Sequence, residues 1–513
     1  MPKITLHKLL NLVNIQPTEI LLNPEINNIS FNSKEVTKGT LFLGLPGSRS
    51  DGGIYWKDAI NNGAEAAIIS KQAAKHSGEL NHKKVLVLNE QLDYLFGQLI
   101  SEFWNRPSRK LKLIGVTGTN GKTTVSFLLE YLSIKLGNRT ALFGTLFNRW
   151  EGYLEKSSHT TDFADKLQPK LSAALKAGVE VVIMEVSSHS LSQKRISGCE
   201  FDAAIFTNLS QDHLDYHKDM EKYFQTKMEL FKSPYLIKKD SYSVINADDK
   251  WGKKLLDNLN SNPLKISIKN RNFKKDNFFY STNIHFKENG SYFILNTPSE
   301  SVEFFIPLMG EFNIMNSLQA ILVFYKLGYS LNKISEILKN FPGVPGRMEK
   351  IKINSSHNED ELPQVIIDYA HTPDGLKNVL NAIRQFSKGK LITVFGCGGD
   401  RDSNKRPKMG SIAENLSDFI FITSDNPRTE NPIKIINDIL SGMKSKNNII
   451  VEIDRFKAIQ KAIDFAKNED VVLIAGKGHE DYQILSDKII SFNDKEIAKD
   501  FLKKKAKEKS IKF

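Results

Sequence analysis

Residues 115–124 read Gly-Val-Thr-Gly-Thr-Asn-Gly-Lys-Thr-Thr and follow the apolar run 111–114. A strand, a glycine-rich turn and a Lys-Thr pair opening a helix make a cradle for phosphate. Backbone N–H groups and the helix N-terminus face the anion, Lys122 adds charge, and the Thr123 hydroxyl suits Mg²⁺. The glycines fall at 115, 118 and 121, with Val116 where the usual Gly-x-x-x-x-Gly-Lys-[Ser/Thr] spacing asks for glycine. This narrower variant makes ATP the first substrate to expect.

Two further clusters carry chemistry. In Met184-Glu-Val-Ser-Ser-His-Ser-Leu-Ser-Gln-Lys-Arg195, the run Val181–Met184 reads as a strand that delivers Glu185 to its C-terminal end, where α/β sheets bind ligands. Near a phosphate loop such a carboxylate is a natural Mg²⁺ ligand; read alone, it is equally a cap for the next helix. Ser187, Ser188 and His189 lack the Gly-x-Ser-x-Gly elbow of a serine hydrolase. The third cluster, Phe206-Thr-Asn-Leu-Ser-Gln-Asp-His-Leu-Asp-Tyr-His217, precedes Lys227 by ten residues. Asp212, His213, Asp215 and His217 offer oxygen and imidazole ligands at a spacing that is not a zinc signature. They are either structural or a second metal site.

These residues must be held by elements, and the elements are short apolar runs separated by helix-length spacers. Runs at 40–44, 66–69 and 85–88 read as strands, and Leu92, Leu95, Phe96, Leu99, Ile100 and Phe103 fall at helical spacing. Asn105-Arg-Pro-Ser108 reads as a linker. Further strands are expected at 181–184 and 204–206, with antiparallel partners at 291–295 and 302–306 and a helix over 316–325. After the Pro/Gly punctuation at 341–346, strands at 365–367, 391–395, 419–422, 449–451 and 471–474 repeat the rhythm. Such alternation implies α/β layers with parallel sheets.

A chain of 513 residues suggests about three domains. It contains no run of 18 apolar residues and no apolar core at the N-terminus, so neither a membrane span nor a signal peptide is expected. Two cysteines, Cys199 and Cys397, fit a reducing cytoplasm. The formal charge of +12 is spread along the chain, apart from Lys503-Lys-Lys505, which reads as a solvated helix end. No basic-aromatic pattern for nucleic acid appears.

Taken in order, the clusters resemble the Mur ligases of peptidoglycan synthesis. The likeness continues through Asn246-Ala-Asp-Asp249, Gly310-Glu-Phe-Asn-Ile-Met-Asn316, Gly343-Val-Pro-Gly-Arg-Met-Glu349 and Asp368-Tyr-Ala-His-Thr-Pro-Asp374. It ends with Phe395-Gly-Cys-Gly-Gly-Asp-Arg-Asp402, Asp425-Asn-Pro-Arg428 and Gly476-Lys-Gly-His-Glu480. It covers nearly the whole chain. Within the family the set is most similar to the enzymes that add the third amino acid.

The resemblance implies three α/β domains: a smaller N-terminal domain over 1–107 that binds a UDP substrate, a central phosphate-loop ATPase with a mainly parallel sheet over 108–342, and a Rossmann-like amino-acid-binding domain over 343–513. It implies an acyl phosphate made from ATP on the γ-carboxylate of D-glutamate and attacked by an incoming amine. Gly118, Thr119, Asn120, Gly121, Lys122, Thr123 and Thr124 would hold ATP, with Asn316 at the adenine, Arg347 near the phosphates and Asp368 near the ribose. Thr123 and Glu185 would bind one Mg²⁺, and His213 a second, helped by Lys227 in its carbamylated form (N6-carboxylysine). Lys122, Glu185, His213 and Lys227 are thus the implied catalytic set.

By the same resemblance Phe31, Ser33, Ser48, Arg49 and Ser50 match the uridine-diphosphate positions, and Thr160, Thr161, Ser187, Gln193 and Arg195 the muramoyl-dipeptide positions. The chain departs from the family at Asn32-Ser-Lys34, commonly Asp-Ser-Arg, and at Asp162 after the Thr pair. In the last domain Arg401, Asp425, Asn426, Pro427, Arg428, Gly476 and Glu480 match the amino-acid site. The Arg428 guanidinium suits the distal carboxylate of meso-diaminopimelate bidentately, a group L-lysine lacks. A monomer using ATP, UDP-N-acetylmuramoyl-L-alanyl-D-glutamate and diaminopimelate in the cytoplasm is the resulting expectation. The alternatives are a lysine-adding relative, disfavoured by Arg428, and a folylpolyglutamate-synthase-like ligase, disfavoured by the first hundred residues. A nucleic-acid-coupled ATPase rests on the charge alone, and a non-catalytic scaffold sits poorly with the catalytic set.

Overall fold

The structure, a computed structural model, describes residues 2–47, 50–78, 82–89, 92–269, 277–353, 362–445 and 447–510. Contacts group the chain into two units, 1–117 with 133–205 and 226–243, and 118–132 with 206–225 and 244–513.

In the first unit a four-stranded parallel sheet runs Asn28–Ser30, Thr40–Leu43, Ala66–Ser70, Val85–Leu88. Parallel strands need covered faces. Leu6, Leu9 and Leu10 of Leu6–Leu12 and the apolar stripe of Leu92–Phe103 pack on one side; Trp56, Ala59, Ala73 and Ala74 pack on the other. The same unit holds a second run of parallel strands, Thr140–Phe143, Val181–Glu185 and Lys112–Thr117, with the antiparallel hairpin Phe147–Trp150/Tyr153–Lys156 on its edge. The segment expected to be a linker is packed instead. Asn105 and Arg106 take positive φ, Pro107–Arg109 form a 3₁₀ turn, and Ser108 is buried. Asn and a pre-proline residue avoid the α region there, so the break in pattern marks a tight turn.

In the second unit, Tyr242–Asn246, Leu264–Ser267 and Phe278–Lys287 run parallel, and Gly290–Asn296 and Ser301–Ile306 follow antiparallel, as expected. The helix expected from 316 begins earlier, over Glu311–Lys326, because Gly310 at φ 94° sets its start. The C-terminal sheet has six strands in the order Glu349–Lys350, Gln364–Asp368, Val471–Ala475, Leu391–Phe395, Phe419–Ile422, Ile449–Val451, parallel except for the first.

Alternation explains the two cores of that sheet. Ile366, Leu473, Leu391 and Ile420 face the helices Pro373–Arg384, Lys405–Leu416 and Pro432–Leu440. Ile367, Ile474, Val394 and Phe421 face Arg455–Phe465 and Asp494–Ser510. The basic tail is not a free end. Lys505 Nζ donates to the carbonyls of Ile463, Asp464 and Ala466 at 2.7–2.9 Å, satisfying the end of Arg455–Phe465. The loop 354–363, to which the sequence assigned no role, lies mostly outside the described residues. Among those residues no helix is long and apolar enough to cross a membrane.

Candidate active site

The strand Lys112–Thr117 runs into the glycine loop, and Lys122 opens the helix Lys122–Lys135. Lys122 Nζ donates to the carbonyls of Gly118 (3.0 Å) and Thr119 (2.9 Å), holding the loop in shape. Gly121 sits at φ 89°, and a Cβ there would stand 2.5 Å from Asn316 Oδ1. Only glycine lets the loop and Asn316 approach so closely. Asn316 is itself fixed by donation to Asn313 Oδ1 at 3.1 Å.

Asn120 ties the loop to its surroundings. Its amide donates to Asn208 Oδ1 (3.0 Å), its carbonyl accepts from Thr207 Oγ1 (2.7 Å), and its Nδ2 reaches Asp374 Oδ2 (3.1 Å). Arg347 Nη2 lies 3.5 Å from Thr123 Oγ1, and its guanidinium stacks 4.2 Å from the Tyr369 ring centroid. Asp368 is buried at the end of its strand and accepts from the amides of Met348 and Ala370, both at 2.7 Å. Burial pushes its carboxyl up, against the opposing pull of Arg347 and those amides.

Beside the loop, Asp212 gathers cations. His213 Nε2 lies 3.3 Å away, His371 Nε2 3.8 Å and Lys405 Nζ 3.8 Å. Burial alone would raise this carboxyl, yet His213, His371 and Lys405 outweigh it and hold it well below the usual range. His213 takes a left-handed backbone at φ 54°. His217 is buried and stacks on Tyr223 at 4.9 Å, a packing role.

In the first unit, Glu185 ends its strand fully buried. It does not cap the following helix, which Ser187 does. Its carboxylate accepts from Thr145 N (3.0 Å) and Thr145 Oγ1 (2.9 Å). Lys227 is 1% exposed, with Nζ 3.5 Å from Thr117 Oγ1, so it is no solvated helix lysine. Thr160, Thr161, Gln193 and Arg195 come together: Arg195 donates to Thr161 O (3.0 Å) and Gln193 Oε1 (2.7 Å), and the Thr145 and Thr160 hydroxyls are hydrogen-bonded to each other (3.2 Å). Thr161 Oγ1 donates to the Glu185 carbonyl at 2.8 Å and accepts from Ser187 N. Phe31 joins this unit through its amide on Asp165 Oδ2 (3.3 Å), and the Ser33 carbonyl accepts from Asn62 (3.0 Å). Ser50 O accepts from Gly47 N; Ser48 and Arg49 lie outside the described residues.

The amino-acid positions gather at the C-terminal ends of the last sheet, where open α/β sheets bind ligands. Phe419–Ile422 leads to Asp425, Asn426 and Pro427, Leu391–Phe395 to Arg401, and Val471–Ala475 to Gly476 and Glu480. Arg428 Nη1 donates to Gly399 O at 2.7 Å, and a Cβ at Gly476, φ 114°, would stand 2.7 Å from Asp425 Oδ2. The sequence reading missed the supports. Arg406 is buried and clamps Glu430 (2.8 Å), Asp438 (2.8 Å) and Gly398 O. Arg455 binds buried Asp494 (2.7 Å) and the Ala475 carbonyl (3.0 Å) just ahead of Gly476. Their carboxylate partners lie 24, 32 and 39 residues away, so no local pattern announces them.

The matches to known proteins fall on these same segments. Profiles of the Mur ligase family catalytic domain, the Mur ligase middle domain and the Mur ligase glutamate ligase domain match residues 25–104, 116–324 and 346–478. The chain belongs to the Mur ligase family. It is similar to the UDP-N-acetylmuramoyl-L-alanyl-D-glutamate–2,6-diaminopimelate ligase of Prochlorococcus marinus subsp. pastoris, at 62% identity over 99% of this chain and 100% of that one. The ligase of the same name from Thermosynechococcus vestitus is 46% identical over 95% of each chain. A solved structure of a UDP-N-acetylmuramoyl-L-alanyl-D-glutamate–2,6-diaminopimelate ligase superposes with a TM-score of 0.68 at 30% identity, covering 98% of this chain and 99% of that one.

Proposed function

We propose that this protein is an ATP-dependent ligase that joins meso-2,6-diaminopimelate to the γ-carboxylate of D-glutamate in UDP-N-acetylmuramoyl-L-alanyl-D-glutamate, a cytoplasmic step of peptidoglycan precursor synthesis. Its three working domains are 1–107, 108–342 and 343–513. The observation that carries the reading is Arg428, whose guanidinium donates to Gly399 O in the turns at the ends of the C-terminal sheet, where Asn426 binds Glu480, in a chain that also carries the phosphate loop.

The chemistry runs in two displacements. A γ-carboxylate oxygen attacks the γ-phosphorus of ATP, the bond to the bridging oxygen breaks, and ADP leaves. The amine of diaminopimelate then attacks the acyl carbon, inorganic phosphate departs, and the nitrogen loses a proton. The protein contributes position and charge. Lys122 and Arg347 balance phosphate charge, and the loop amides fix the phosphates. Asn316 borders the adenine and Asp368 the ribose. Thr161, Gln193 and Arg195, already mutually bonded, orient the muramoyl dipeptide, and Phe31, Ser33 and Ser50 serve the uridine end. The donor chemistry of Thr123 and Glu185, a hydroxyl and a carboxylate, fits Mg²⁺, which when bound neutralises phosphate charge. A buried lysine at 227 fits carbamylation, since an uncharged amine is what CO₂ captures and burial disfavours the ammonium.

Phosphate release from ATP, measured with the UDP-dipeptide and diaminopimelate, L-lysine or no amino acid, tests the reading. Release is expected with diaminopimelate. Release with none of them overturns the ligase, and a preference for lysine overturns the specificity.

A further inference from the structure

Lys477 lies inside the amino-acid loop, yet its side chain is wholly buried. Its Nζ is 3.1 Å from Asn426 Oδ1 and 2.9 Å from Glu480 Oε2. Asn426 Nδ2 donates to that same Glu480 oxygen at 2.8 Å. Asn426 is pinned further by the Ile484 amide on its Oδ1 at 3.0 Å. Lysine, carboxamide and carboxylate thus close a triangle on Oε2, and among the described residues no donor reaches Oε1.

We propose that Lys477 is a specificity-determining positioning residue, which compensates Glu480 so that the site rejects a lone ammonium and accepts an ammonium accompanied by a carboxylate. The proposal rests on the diaminopimelate reading above. The distal end of diaminopimelate carries one ammonium and one carboxylate and is neutral. The distal end of L-lysine carries an ammonium alone. Among the amino-acid positions, Arg401 and Arg428 against Asp425 and Glu480 sum to zero, and a free Glu480 would be a bare carboxylate for lysine to pair with. With Lys477 on Glu480, the set is positive by one charge, and an unaccompanied cation is repelled. A buried ammonium cannot be left unpaired without large cost, so Lys477 also fixes where Glu480 points. Specificity here comes as much from repelling the wrong partner as from holding the right one.

The test compares the parent chain with Lys477→Met, Glu480→Gln and the double variant. The ratio of diaminopimelate to L-lysine is read twice, as kcat/KM and as calorimetric Kd, with KM for ATP alongside. In Lys477→Met the ratio is expected to fall at least about tenfold relative to the parent, as removal of one nearby unit charge predicts. KM for ATP stays within about twofold. In the Glu480→Gln background the same substitution moves the ratio less than about threefold, because a buried amine without its carboxylate is driven to the neutral form and its removal then takes no charge from the site. That double variant carries no uncompensated buried charge, which keeps the comparison available if the single variant folds poorly. A ratio unchanged in Lys477→Met, a parallel rise in KM for ATP, or a shift undiminished in the Glu480→Gln background overturns the proposal. The parent's own preference bears on the ligase reading, whereas the shift relative to the parent decides on Lys477. The affinity ratio decides it even without turnover.

Discussion

Asn120 of the phosphate loop donates to Asp374 at 3.1 Å across 254 positions of sequence. The bond joins the glycine loop to the first turn of Pro373–Arg384, whose cap is Thr372. Removing the carboxylate in Asp374→Ala leaves the Asn120 amide without a charged acceptor, a loss of about 1.5–3 kcal/mol. A fall of roughly ten- to a hundredfold in kcat/KM for ATP is expected, with KM for diaminopimelate unchanged in steady-state assays.

On the proposed reading, Lys122→Ala strips the charge meant for the phosphates. By comparison with the loss of a single preorganised donor, kcat is expected to fall by about 10²–10³. Phosphate release measures it.

The proposed carbamylation of Lys227 has a spectroscopic consequence. Isotopically labelled bicarbonate should give a carbamate carbon signal in the parent chain and none in Lys227→Ala. A parent without that signal would dismiss the modified lysine while leaving the rest of the ligase reading in place.

Cys199 and Cys397 are buried, and burial pushes both thiols from 9.0 up to about 12. Neither should react with a thiol reagent at neutral pH until the protein unfolds. The linkage has a definite sign. A thiol whose pKa is raised by folding contributes stability that is complete below pH 9 and drains away as pH rises toward about 12. Denaturant titrations from pH 8 upward should therefore show a shallower alkaline loss in Cys199→Ser and Cys397→Ser than in the parent chain.

Asp494 and Arg455 form an ion pair with both side chains fully buried. Breaking it from one side strands a charge, so Asp494→Ala should cost about 3–5 kcal/mol. A urea midpoint that scarcely moves would contradict this.

Much of the fold was legible because strands covered on both faces, such as Val471–Ala475 and Leu391–Phe395, spell themselves as unbroken apolar runs. The hairpin Phe147–Trp150/Tyr153–Lys156 was not, since its residues are mostly half-exposed and mixed in polarity. Phe278–Lys287 carries a register shift between Thr282 and His285 that blurs its alternation. The candidate site was legible where chemistry clusters along the chain, as in the loop 118–124. It was opaque where one cation serves distant partners: Arg406, Arg455, Lys477 and Lys505 each look ordinary in sequence, and only folding brings their acceptors to them.

On the proposed reading, the C-terminal sheet puts its packing in the strands and its recognition in the turns that leave them. Core and selector occupy different residues, so the choice of amino acid can drift by changes at 396–402, 423–428 and 476–480 while the scaffold is inherited intact. A lineage could exchange one cell-wall cross-link for another by editing three turns.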